Sequence, residues 1–264
     1  MKVAVRGVSV WGPGLAGWAQ AQECLQGKTE WVGQEQPPPP ASILAPNERR
    51  RSGPVTRLAI AVASEACKVA GMETSDLSVV FASANGDGGV IDSILRALSE
   101  PGGEVSPTQF HNSVHNASAG YWTIGHNSIA PATALGCYDW SFGLGLLKAA
   151  SEAVVEQHPV LFVAYDQPIP GPIGKVRVTK ACFACALLLD PHLNQQAMAH
   201  LNLRYVPSST LPVDMPRHNG LRALASDNPA ARSLSLLTYL AQHRAGTLRI
   251  ACQPGQLEVD VSPC

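Results

Sequence analysis

The chain has 264 residues, with 19 Lys and Arg against 20 Asp and Glu for a formal net charge of −1, 45% hydrophobic residues and only 15% charged ones. That length allows one large domain or two small ones with a sizeable core; the hydrophobicity excludes a disordered chain, and the lack of a basic excess argues against a nucleic-acid binder. Soluble proteins commonly carry about 25% charged residues, so this surface is bland and does little to hold molecules apart, as suits a surface partly covered by a partner.

In chain order, residues 2–10 are valine-rich and loosely alternating, which predicts a strand, and residues 15–25 have helical spacing with Gly27 as a stop. The basic start is interrupted by Pro13 and Gly14, so it does not read as a signal peptide. Residues 28–54 form a long connection containing Pro37 to Pro40 and closing on Arg49, Arg50 and Arg51. Helices are expected at 55–70, 91–98, 117–126, 140–156 and 232–242. Strands are expected at 77–82, 132–136, 160–165, 181–189 and 200–206, with a closing hairpin of 246–252 and 257–261 across Pro254-Gly255. Residues 167–175 read as a loop. Strands alternating with helices, and an apolar run at 181–189, predict an α/β fold with a mixed, mainly parallel sheet packed by helices. No run approaches 18 apolar residues, so no membrane span is expected. The seven cysteines have no framework spacing, which predicts reduced thiols and a cytoplasmic location.

Several motifs invite chemical readings. Asn85-Gly86-Asp87-Gly88-Gly89 lacks the spacing of a phosphate loop and reads as a tight turn. Cys182-Phe183-Ala184-Cys185 has no second ligand pair and reads as two buried core cysteines. His111 and His115 are four apart, as helical neighbours would be, but lack the metalloprotease Glu. They read as polar residues near an interface, and no metal or cofactor is expected. The strongest signal is residues 131–139 running into 140–150, a strand ending in a sharp turn at the start of a long apolar helix. Such a turn can present a nucleophile to the positive helix end, which makes Cys137 a candidate. Equally, Asp139 can be the N-cap and Cys137 merely buried.

The segments 47–51, 80–88, 106–122 and 131–150, with Val163-Ala164-Tyr165-Asp166 beyond them, resemble the N-terminal half of the β-ketoacyl synthases. These are the thiolase-fold condensing enzymes, and the likeness is to their short relatives in bacterial aryl polyene clusters. The resemblance implies a single thiolase-like domain over 1–264, with a core at 1–190 and a shortened C-terminal part at 191–264. Aligning Pro131 and Ala149-Ala150 with the family places Asp139 where the nucleophilic cysteine belongs and Cys137 two residues early. The family's two C-terminal histidine motifs are missing, and His218 and His243 stand in unrelated surroundings.

The resemblance therefore implies a non-catalytic chain-length-factor-like subunit. It would pair with a full-length β-ketoacyl synthase as a heterodimer and meet an acyl carrier protein only indirectly. Phe110, His111, Asn112, His115 and Asn116 fall on the family's interface and acyl-pocket segment. The alternative is an active acyl-transferring, condensing or decarboxylating enzyme using Cys137 or Asp139; a stand-alone carrier-protein or lipid-binding module is a third.

Overall fold

The computed structural model describes residues 1–193, 196–209 and 211–264. Its strands are β1 (Lys2–Gly12), β2 (Leu15–Ala16), β3 (Ser78–Ala82), β4 (Ala132–Leu135), β5 (Val160–Asp166), β6 (Phe183–Asp190), β7 (Ala199–Val206), β8 (Gly246–Cys252) and β9 (Gly255–Pro263). They form one sheet in the order β4-β3-β5-β6-β1-β7-β9-β8, with β2 folded back on β1. The terminal hairpin falls where expected, Cys252 opposite Gly255.

The sheet is mixed, but the expectation that it is mainly parallel is corrected. Among the described residues only β3 with β4 and β3 with β5 run parallel, while the pairings of β5 with β6, β6 with β1 and those beyond are antiparallel. The uninterrupted apolar run of β6 reports cover on both faces, which a central antiparallel strand receives as fully as a parallel one. In β3, Val80 and Ala82 enter one core while Val79 and Phe81 enter the other; Phe162 and Val163 of β5 divide likewise.

Helices α1 (Trp18–Leu25), α7 (Ser141–Glu156), α9 (Asn219–Asp227) and α10 (Leu234–Ala241) contribute to the first core. Helices α3 (Pro54–Ala70) and α6 (Ala117–His126) cover the second. Where α3 crosses β1, a Cβ on Gly7 would lie 2.1 Å from the Ala66 carbonyl oxygen, so only glycine permits this approach. The register of β1 shifts between Val5 and Gly7, which keeps Val3, Val5, Val8 and Val10 all in the first core.

Five helices differ from the sequence pattern, among them α9, which lies in a stretch with no assignment. The helix expected at 15–25 begins as β2 and becomes α1 only after Gly17, whose φ of 83° breaks the chain direction. α2 (Pro46–Arg51) lies inside the supposed connection, and α8 (Gly171–Val176) inside the supposed loop. α5 (Pro107–Ser113) occupies a stretch with no assignment. Each of these three starts with a proline at its first or second position, where a missing N–H costs nothing. α4 (Gly88–Ser99) is longer than expected because Asp87 caps it, accepting from the Val90 N–H at 3.2 Å. No helix among the described residues is long and apolar enough to cross a membrane.

Candidate functional site at the carboxyl ends of the parallel strands

The chemistry-bearing residues gather where β3, β4 and β5 end. After β3 the chain turns through Ser83 to Asp87, with Gly86 at a φ of 59°. The N–H groups of this turn point inward. Ala84 N and Asn85 N donate to Asp166 Oδ1 at 2.9 and 3.0 Å, Ser83 Oγ donates to the same oxygen at 2.8 Å, and Gly86 N donates to Ser83 Oγ at 2.8 Å. The donors a phosphate would need are thus occupied by the protein's own carboxylate, which agrees with the turn reading of 85–89. Asp166 is 1% exposed. Burial pushes its carboxyl up to about 7, against the Ser83, Asn85 and Ala84 hydrogen bonds and the Arg177 charge, which pull it down.

After β4 the chain makes a second turn through Gly136, Cys137 and a 3₁₀ turn, Tyr138–Trp140, into α7. Tyr138 sits at a φ of 53°, a conformation that costs a non-glycine residue energy and that surrounding contacts must hold. Those contacts are visible. Ser141 Oγ donates to the Tyr138 carbonyl at 2.7 Å and accepts from Cys137 N at 2.9 Å. The Arg177 guanidinium lies 3.9 Å from the Tyr138 ring centroid.

Asp139 does not cap α7, contrary to the N-cap reading; the residue preceding that helix is Trp140, without a side-chain cap. The 3₁₀ turn carries the carboxylate away from the helix axis and into the reach of two arginines. Arg177 Nη2 is 2.5 Å from Asp139 Oδ1 and Arg232 Nη2 is 3.4 Å from Oδ2, while Arg232 Nη1 donates to the Asp139 carbonyl at 2.8 Å. Burial lowers the Arg232 guanidinium from its ordinary value, Asp139 opposes that, and the like charge of Arg177 adds to it. Arg177 Nε also donates to Asn85 Oδ1 at 3.0 Å, and Asn85 Nδ2 donates to Thr179 Oγ1 at 2.9 Å, so one guanidinium ties the two turns together.

Cys137 is half-buried, and burial raises its thiol above the ordinary value, away from a reactive thiolate. The Cys182-to-Cys185 pair is corrected by half. Cys185 is buried in β6, but Cys182 precedes the strand and is exposed. His111 and His115 are not helical neighbours, because α5 ends at Ser113 and Val114 is extended. His111 is exposed and meets Tyr121 edge-on at 5.8 Å. His115 instead reaches the second turn, where a Cβ on Gly136 would lie 3.0 Å from its Nε2. Phe110 and Asn116 are exposed, whereas Asn112 is buried and its Nδ2 donates to the Arg51 carbonyl at 2.7 Å. No group of three or more His, Cys, Asp or Glu that could hold a metal occurs among the described residues. Arg177 and Arg232 carried no sequence signal; Asp166 lay in one of the family-like segments without a role.

Comparison with curated protein sequences gives no match. Among solved structures the chain is similar to a ketosynthase (ApeO) in complex with its chain length factor (ApeC) from Xenorhabdus doucetiae. The TM-score is 0.73 at 20% identity, covering 98% of this chain and 99% of that one. It is also similar to the ishigamide ketosynthase/chain length factor, with a TM-score of 0.70 at 14% identity and 99% of both chains covered. A third likeness is to the type II polyketide complex AntDE:AntF, an acyl-carrier protein with its ketosynthase bound to the hexaketide. Its TM-score is 0.72 at 12% identity, over 100% of this chain and 99% of that one. At these identities the likeness establishes the fold, in agreement with the thiolase-like expectation. The model of the β-ketoacyl synthase N-terminal domain matches residues 18–250, and the chain belongs to that family.

Proposed function

We propose that this chain is a non-catalytic, chain-length-factor-like subunit. It pairs with an active full-length β-ketoacyl synthase and shapes the tunnel in which that enzyme's acyl chain grows, in aryl polyene or related polyketide biosynthesis. The observation that carries this reading is Asp139, held at the strand-to-helix turn between Arg177 and Arg232. Acyl transfer needs a nucleophile with a base beside it. A carboxylate engaged by two guanidiniums is a poor nucleophile, and Cys137 offers a thiol kept protonated by burial. His218 Nδ1 accepts from Leu221 N at the start of α9, a structural task. The ketosynthase and chain-length-factor complexes among the similar structures support a paired role, as does the open edge of the sheet. There, among the described residues, β4 pairs only with β3, and Ile129 just before it is 98% exposed. Phe110, His111, His115 and Asn116 would contribute to the shared surface, with Asn112 bracing it from inside.

The test is co-expression with full-length condensing synthases from the same genome, followed by size-exclusion chromatography and product analysis. The expected result is a stable one-to-one complex whose product length depends on this chain. A well-behaved monomer indifferent to every synthase overturns the reading. An acyl adduct on Cys137, detected by mass spectrometry and lost in Cys137→Ser, would establish the enzymatic alternative instead.

A further inference from the structure

Helix α4 is packed with its apolar side outward. Ile91, Ile94, Leu95 and Leu98 recur at i, i+3, i+4 and i+7, the stripe by which an amphipathic helix normally meets a core. Here none of the four is buried: Ile91 and Ile94 are half-covered, and Leu95 and Leu98 are 49% and 60% exposed. The residues α4 buries are Gly88 and Asp92, and Asp92 is occupied by Arg96, whose Nε donates to its Oδ2 at 2.7 Å. The helix is held at Gly88 and Ser93. A Cβ on Gly88 would lie 2.7 Å from the Ile169 side chain, and Gln109 Nε2 of α5 donates to Ser93 Oγ at 2.6 Å. Apolar exposure of this kind, concentrated on one face of a packed helix, marks interaction sites in soluble proteins.

We propose that the stripe of α4, continued by Phe110 of α5, docks on the synthase subunit, an inference that rests on the pairing proposed above. Two observations favour that occupant. First, α4 packs on α5, α5 on α6 and α6 against β4, so these helices form one connected layer that reaches the open edge of the sheet. Second, a stable complex buries about 800 Å² on each partner. The four residues of β4 and Ile129 fall short of that alone, whereas a 12-residue helix presenting two leucines, with Phe110 67% exposed beside it, supplies apolar area. The face also carries little free charge to desolvate, since Arg96 is paired with Asp92.

The experiment compares the intact chain with the Leu95→Asp/Leu98→Asp double variant, each mixed with the synthase that co-purifies with the intact chain. Both leucines are exposed, so the variant should keep the thermal midpoint of the isolated chain. Its affinity for the synthase should fall at least tenfold, and amides of residues 88–99 should gain hydrogen-exchange protection when the intact chain is complexed. If the intact chain binds while the variant binds equally well and 88–99 gain no protection, the docking surface is overturned and the pairing stands. If the intact chain binds no synthase but forms a homodimer that the variant abolishes, a second copy covers the stripe and both proposals fall.

Discussion

The two turns that follow β3 and β4 solve the same problem in opposite ways. Each ends a parallel strand, each enters a helix, and each holds a carboxylate. At the first, Asp166 is buried and receives two backbone N–H groups and one hydroxyl. At the second, Asp139 is partly exposed and receives two guanidiniums. Neutral donors offset only part of the cost of burying a charge, so burial wins and the Asp166 carboxyl is raised to about 7. Full cations at the second turn make a charged cluster that water can still reach. The lesson is that a carboxylate at a strand end is no sign of acid–base chemistry until its partners are counted. Both of these find their partners within the chain.

Breaking the first turn should cost most. Asp166→Ala leaves Ser83 Oγ, Ala84 N and Asn85 N without their acceptor in the interior. Urea unfolding should register a loss of roughly 3 kcal/mol or more. Breaking the second should cost somewhat less, because its ions are partly solvated. Arg177→Ala removes the ion pair to Asp139, the bond to Asn85 and the cover over Tyr138, a loss of about 2 kcal/mol. Arg177→Lys should recover only part of that, since a point charge cannot serve Asp139 and Asn85 together.

A pH series sharpens the contrast. The unfolded Asp166 carboxyl ionises near 4, as aspartates ordinarily do, whereas the folded one ionises at about 7. Across that interval the folded chain binds a proton that the unfolded chain has released. The contribution is therefore full below about pH 4 and is lost as pH rises to about 7, on the order of 1 kcal/mol or more. Asp166→Asn should flatten the fall, and a thermal midpoint that does not decline between pH 5 and 7.5 in the unaltered chain would contradict it. The smallest effect is expected from Cys137→Ser, under about 1 kcal/mol, with no change in the activity of a co-purified synthase.

The sequence foretold elements whose pattern is local. The strands β3, β5 and β7, the long helices α3, α6 and α7, and the closing hairpin lie within a residue or two of expectation. What failed was non-local or short. Nothing in the apolar run of β6 distinguishes an antiparallel neighbour from a parallel one. The six- and seven-residue helices α2, α5 and α8 are too short for a hydrophobic period to emerge. The departure at Asp139 was legible from alignment alone. Its partners were not, because Arg177 and Arg232 arrive from segments far along the chain whose meeting is a consequence of the fold. The sequence predicts a helix at 91–98, but periodicity locates an apolar face without saying what covers it.

The placement of β1 has a bearing on how the molecule comes to exist at all. Its Ala4 lies opposite both Asp190 of β6 and His200 of β7, so the strand completes its ladders only with residues nearly the whole of the core further along. Closing such distant pairs loses chain entropy before any contact repays it, and topologies of this kind fold slowly. During synthesis, β1 would have only its short pairing with β2, its valines exposed, until β6 and β7 had left the ribosome. A chain built this way exposes apolar surface while it waits, and its yield should rise with the supply of chaperones. On the pairing proposed above, that yield should also track the supply of the synthase.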